Sequence, residues 1–160
     1  MAREFITAID VANTFITKFK NEKKLLKHKK LQKLVYYTYA MCLYEKNVPL
    51  FGNRDNFLAL PNGPVCKEIY DSIQNNKKTN DIKECLSQEE CEDLDTDLQE
   101  DINYYVEEIY NLIGDWKADK LVHLSHSIYG AWQKLKEYDN VLFYLKDEDI
   151  KEEFKNLFVE

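Results

Sequence analysis

Lys30-Leu31-Gln32-Lys33-Leu34-Val35-Tyr36-Tyr37, continued by Thr38-Tyr39-Ala40-Met41-Cys42-Leu43-Tyr44, is the stretch that decides the fold. From about Lys27 to Lys46 it reads as one helix, basic at its start and then apolar almost all round. A helix of that kind is buried on every side and sits in the middle of a bundle. Its tyrosines can bury their rings and send their hydroxyls to polar partners at the rim, which accounts for their number without a ligand. Asn47-Val48-Pro49 closes the helix, because proline disfavours helix in the residue before it.

Outward from this rod, the pattern stays helical. Thr7 and Asp10 have the spacing of a capping box, with Ile6 and Val11 at the staple positions. Ile9, Ala12, Phe15, Ile16 and Phe19 then give one buried stripe, ending near Asn21. Leu50 to Pro61 lacks helical periodicity and suits a loop with a short extended piece from Asn56 to Leu60. Gly63-Pro64 reads as the opening of the next helix, with proline at the first helical position and Val65, Ile69 and Ile73 inward. Asn75 to Asp81 is a surface connection. Ser87 with Glu90 has capping-box spacing. The longest helix is expected to follow it through Cys91, Leu94, Leu98, Ile102, Tyr105, Ile109 and Leu112 to Gly114, with a break near Asp95. Asp115 is read as the cap of a short helix through Leu121 and Leu124, and another short helix spans Ala131 to Glu137. Tyr138-Asp139-Asn140 is a turn. Asp147 caps a last helix with Ile150, Phe154, Leu157 and Phe158 inward.

The expected fold is therefore mainly α: a compact single-domain bundle over residues 1–160 of about six to seven helices, with at most a minor β element between 50 and 61. At 160 residues the chain can bury a sizeable core. Four glycines and three prolines are too few for the many turns of a sandwich or barrel. No stretch approaches the roughly 20 apolar residues that cross a bilayer, and Met1-Ala2-Arg3-Glu4 lacks the apolar core of a signal peptide. Cys42, Cys66, Cys85 and Cys91 have neither metal nor secreted-scaffold spacing. Free thiols in the cytoplasm are the expectation.

The net charge of −7 is unevenly spread. Seven lysines lie between Lys20 and Lys33, whereas eleven acids and no base lie between Glu84 and Glu108. An acidic chain is a poor match for a long phosphate backbone. The run Lys23 to Lys33 is the only nucleic-acid candidate, and its plain reading is a solvated helix entrance. The acids Glu89, Asp93, Asp97, Glu100, Asp101, Glu107 and Glu108 fall on the outer side of their helix with no base among them. They make a solvated face or a strip that steers a basic protein partner. They form no calcium loop, which needs a glycine among alternating ligands.

His123 and His126 share a helical face but are only two ligands, with no HEXXH pattern, and His126 is expected to bond backbone at a helix end. Ser125 beside His126 is a weak hydrolase signal, because adjacent helical residues diverge. Pro61-Asn62-Gly63-Pro64 has too few glycines to cradle a phosphate and reads as a structural turn. No catalytic residue, metal, cofactor or small-molecule substrate is expected from these patterns.

Three segments in order, Lys30 to Tyr37, Asn62-Gly63-Pro64-Val65, and Leu124-Ser125-His126 with Trp132 beyond it, resemble the Panacea or SocA-like antitoxin domain of bacteria and phages. The resemblance runs from about Ile6 to Leu157. Its motif positions here are Leu31, Lys33, Leu34, Tyr36, Tyr37, Gly63, Pro64, Val65, Tyr70, Leu124, His126 and Trp132, which it implies are structural. Leu60 stands where the family usually has tryptophan, and Ala131 where proline usually precedes Trp132. The resemblance implies a helical antitoxin that neutralises a toxin encoded by a neighbouring gene, by direct contact or by presenting it to a protease. The contact is expected on the acidic strip or around the Gly63-Pro64-Val65 turn.

Overall fold

A computed structural model describes residues 2–52, 56–75, 81–88, 93–127, 130–137 and 144–159. Within them the chain forms α1 (Ala8–Asn21), α2 (His28–Lys46), β1 (Phe57–Leu60), β2 (Gly63–Cys66), α3 (Lys67–Asn75), α4 (Thr96–Ile113), α5 (Ala118–Ser125), α6 (Ala131–Glu137) and α7 (Asp147–Phe158). The architecture is mainly α, with one two-stranded antiparallel hairpin.

The apolar rod is the axis of the molecule. Every residue of α2 from Leu31 to Leu43 is buried, and the helix packs against α1, α4, α5, α7 and β2. Asn47 ends it in the left-handed conformation, φ 58°, which asparagine tolerates better than most residues. α1 begins with the expected capping box: Asp10 N–H donates to Thr7 Oγ1 at 3.2 Å and Thr7 N–H donates to Asp10 Oδ2 at 2.8 Å. Arg3 is buried against the Asp10 carboxylate, donating from Nη2 at 2.9 Å. Burial alone would raise the Asp10 pKa, but the Arg3, Thr7 and Gln88 donors outweigh it and hold the carboxyl below its usual range.

Several boundaries differ from the sequence expectation, each for a tertiary reason. Gly63-Pro64 opens no helix; it starts β2, which pairs with β1 in the register Leu60↔Gly63 and Phe57↔Cys66. Val65 consequently lies on the hairpin, and only Ile69 and Ile73 form the buried stripe of α3. α4 begins at Thr96, with Asp95 as its N-cap. The segment ahead of it is extended, where Arg3 donates its N–H to the Asp93 carbonyl and accepts from Asp95 N–H. Among the described residues the longest helix is therefore α2. Asp115 does not cap α5, whose N-cap is Lys117; it pairs with Lys24, 2.7 Å away. Asp147 is the first residue of α7, and its carboxylate accepts from Tyr39 O–H at 2.8 Å. Cys42 and Cys66 are free and buried, and Cys85 is free and exposed. Glu89, Glu90, Cys91 and the turn at 138–140 lie outside the described residues, as do residues 76–80 of the connection after α3. No helix among the described residues is long and apolar enough to cross a membrane.

Candidate partner-binding surface

Most of the motif residues converge on one place, the β1–β2 hairpin where it lies on α2. Gln32 grips the backbone of Cys66 from both sides, accepting from its N–H at 2.8 Å and donating to its carbonyl at 3.2 Å. The next residue, Lys33, is buried and donates its Nζ to the Pro64 carbonyl at 2.9 Å. Burial, with Lys29 adding repulsion, pushes the Lys33 amine down to about 8. Gly63 has φ +108°, and a Cβ there would lie 2.5 Å from Ser125 Oγ and 3.0 Å from Lys33 Cε. Glycine is thus required both by the backbone angle and by the close approach of α5.

From the other side, Trp132 on α6 donates its indole N–H to the Leu60 carbonyl at 2.7 Å. The His126 ring stacks on Trp132 with centroids 3.8 Å apart and planes 13° from parallel. Backbone N–H of His126 caps the end of α5. Leu124 is half-buried against the core. Tyr70 stands apart: it is 42% exposed on α3, tilted against His28. Ser125 is fully buried and its hydroxyl donates to the Val122 carbonyl at 2.8 Å, a fit to the Gly63 turn and not a nucleophile open to a substrate.

Sequence reasoning missed the residue that ties this frame together. Glu153 on α7 is fully buried. Its Oε1 accepts from Tyr36 O–H at 2.6 Å and from Ala131 N–H at 2.9 Å, and its Oε2 accepts from Tyr37 O–H at 2.8 Å. The two tyrosine hydroxyls therefore meet a carboxylate in the interior and not polar groups at the rim. Burial drives the Glu153 carboxyl up to about 7 against the opposing pull of these donors and of Lys134. Both tyrosines are pushed well above their ordinary range by burial and by Glu153. The available signal was positional: Glu153 falls three residues after Ile150 and directly before Phe154, on the inward stripe of α7.

The acidic strip lies across the molecule on α4. Asp97, Glu100, Glu107 and Glu108 are exposed, Asp101 is half-buried, and Asp93 is exposed just ahead of the helix. A base does enter the strip: Lys18 of α1 reaches Glu107 at 2.9 Å. Tyr104, 49% exposed, stands among the acids and donates to Glu45 Oε1 at 3.2 Å. At the edge of the strip Asp101 lines a groove of about 490 Å³, between α4, the end of α2 and residues 48–52.

The lysine run is less of a patch than its sequence implies. Lys24 is held by Asp115 and by Tyr110 O–H, both at 2.7 Å. Lys30 is half-buried with its Nζ over the Phe19 ring, and Lys33 is inside. Lys23, Lys27 and Lys29 remain exposed.

Residues 31–133 match the family model described as "Antitoxin SocA-like, Panacea domain". No curated protein and no solved structure matches the chain.

Proposed function

The chain belongs to the SocA-like Panacea antitoxin family, and on that premise we propose that it neutralises a protein toxin encoded by a neighbouring gene. Neutralisation proceeds by direct contact or by handing the toxin to a cellular protease. The observation that carries this reading is the family match itself, which spans the helix, hairpin and α5–α6 segments that build the frame around Gly63. Residues 1–160 act as one unit in the cytoplasm, without cofactor or turnover of a small molecule.

The contact is assigned to the acidic side of α4, with Asp97, Glu100 and Glu108 exposed, Asp101 half-buried among them and Asp93 exposed just ahead of the helix, because such carboxylates attract a basic surface. Glu107 contributes less, since Lys18 already neutralises it. Glu89 belongs to the same run in sequence.

Co-expression with the adjacent open reading frame tests the reading. That product should arrest growth alone, be tolerated with this protein, and co-purify with it. Reversal of Glu100, Asp101 and Glu108 to lysine should slow association and flatten its salt dependence. Unchanged binding after reversal removes the acidic strip, and absence of any rescue removes the antitoxin role. A steeply salt-dependent shift of DNA or RNA that requires Lys23, Lys27 and Lys29 would instead support a nucleic-acid regulator.

A further inference from the structure

We propose that the groove between residues 48–52 and α4 receives an apolar anchor side chain carried on a lysine- or arginine-rich segment of the protein partner. The proposal takes from the preceding section only that the partner is a protein; it adds where that protein docks and with what chemistry.

Two properties of the groove make the assignment. About half of its lining is apolar, from Ile6, Pro49, Leu50, Phe51, Leu98 and Tyr105, and the rest is polar. At its mouth Phe5 is 62% exposed and Val48 is 50% exposed. Large apolar side chains left in water beside a concave, half-apolar surface are what a partner's anchor residue covers, and such anchors carry most of the energy of a protein interface. The volume of about 490 Å³ admits one large side chain with room for its flanking backbone.

The rim then selects the charge of the segment. Glu4 and Asp101 line the groove against the single lysine Lys46. Beyond Asp101 the same outward side of α4 continues through Asp97, Glu108 and Tyr104, and Tyr104 is bonded to a further acid, Glu45. A segment entering the groove thus passes along carboxylates on the α4 side. A basic flank gains there, whereas an acidic one is repelled. Lys46 keeps its ammonium on the groove side, 5.5 Å from the centroid of the Tyr105 ring, and leaves Asp97, Asp101 and Glu108 on the outer side of α4, where Lys18 pairs with the neighbouring Glu107.

The probe is a short synthetic peptide with one tryptophan between arginines, titrated into the full chain labelled with nitrogen-15. Two control peptides accompany it: tryptophan between glutamates, and alanine between the same arginines. The expected result is shifts concentrated at residues 48, 50–52, 98, 101 and 105 for the first peptide alone, weakening as salt is raised. Phe5→Ser with Val48→Ser should weaken binding at least about fivefold, since both side chains give up apolar cover, and Val48→Ser alone, which leaves the Phe5 ring on Arg3, should weaken it in the same direction. Asp101→Asn should weaken it about threefold and reduce the salt dependence. Equal shifts from the glutamate peptide, or shifts from the arginine–tryptophan peptide that avoid the groove, would overturn the proposal. The antitoxin reading is scored separately by growth rescue. Rescue undiminished in the Phe5→Ser/Val48→Ser variant sinks the groove but keeps the antitoxin. Peptide binding at the groove without rescue keeps the groove and sinks the antitoxin.

Discussion

Replacing Glu153 with glutamine should make the protein more stable at pH 8 and leave it nearly unchanged at pH 5. The carboxyl titrates near 7 in the folded chain against an ordinary 4.5, because burial penalises the charged form more than its three donors favour it. The folded state therefore holds this proton more tightly than the unfolded state. Stability contributed by the group is complete below about pH 4.5, falls as pH rises, and is lost above about 7. The two and a half units amount to about 3 kcal/mol. Against a total of roughly 5–15 kcal/mol for a typical domain, that is large.

Glutamine keeps the shape and never ionises. Its carbonyl can accept from Tyr36 O–H and Ala131 N–H in the place of Oε1, while its amide N–H₂ takes the place of Oε2 and donates to the Tyr37 oxygen. Tyr37 then accepts where it had donated, as it also does toward the protonated carboxyl of the wild type, so this change cancels in the comparison at low pH. Urea unfolding followed by fluorescence of Trp116 and Trp132 from pH 5 to pH 8 gives the difference between the two proteins, in which the titrations of other groups cancel. A difference growing to about 2–3 kcal/mol in favour of the variant is expected. A flat difference, or a constant loss of stability, would show that the buried carboxyl does not pick up a proton in that range and would refute the account. Glu153→Ala is the complementary variant: it strands three buried donors and should cost at least about 3 kcal/mol at either pH.

Other perturbations report on the frame around the hairpin. Gly63→Ala should destabilise by about 3 kcal/mol or more by thermal or urea unfolding, from the positive φ and the approach to Ser125 Oγ; adding Ser125→Ala should recover about 1 kcal/mol, since the clash is shared. Lys33→Met should abolish a rise in stability between about pH 8 and pH 10.5, because the depressed amine makes the wild-type folded state the weaker proton binder across that window. Tyr105→Phe should be neutral or stabilising by up to about 1 kcal/mol, as that buried hydroxyl has no nitrogen or oxygen partner among the described residues and meets the Cys42 thiol.

The helices were legible where local chemistry decides them. Thr7 and Asp10 satisfy each other's backbone within one turn, so the start of α1 could be read from four residues. α2 could be read because a helix apolar on all sides has only one place to go. The misreadings share one cause, a long-range partner that overrides a local rule. Proline at 64 obeys the first-turn rule for helices, yet Gln32 and Lys33, about thirty residues upstream, bind the backbone of the strand that it occupies. Asp115 has the residue type and position of a cap, but Lys24 from across the fold claims it. The lysine run looked solvated as a string of letters, and α-helical geometry turned Lys33 inward. The acidic strip was legible as a face of α4, whereas the groove beside it joins segments around residues 5, 48–52 and 98–105 that no sequence window contains.

The frame and the surface proposed for a partner are built from different residues. Gln32, Lys33, Gly63, Ser125 and Trp132 are committed to one another, so a chain that keeps them keeps the hairpin on α2 whatever it binds. Phe5, Val48 and the exposed α4 carboxylates make none of the contacts of that frame, which leaves them available to the partner proposed above. Ala131 shows the two levels meeting. A proline at that position, as is usual in the family, would remove the N–H that donates to Glu153. In this chain the start of α6 is instead hydrogen-bonded to the same carboxylate that receives Tyr36 and Tyr37. Glu153 lies beyond the matched span of 31–133, yet it links the central helix to α6, so the last helix belongs to the working fold as firmly as the motif residues do.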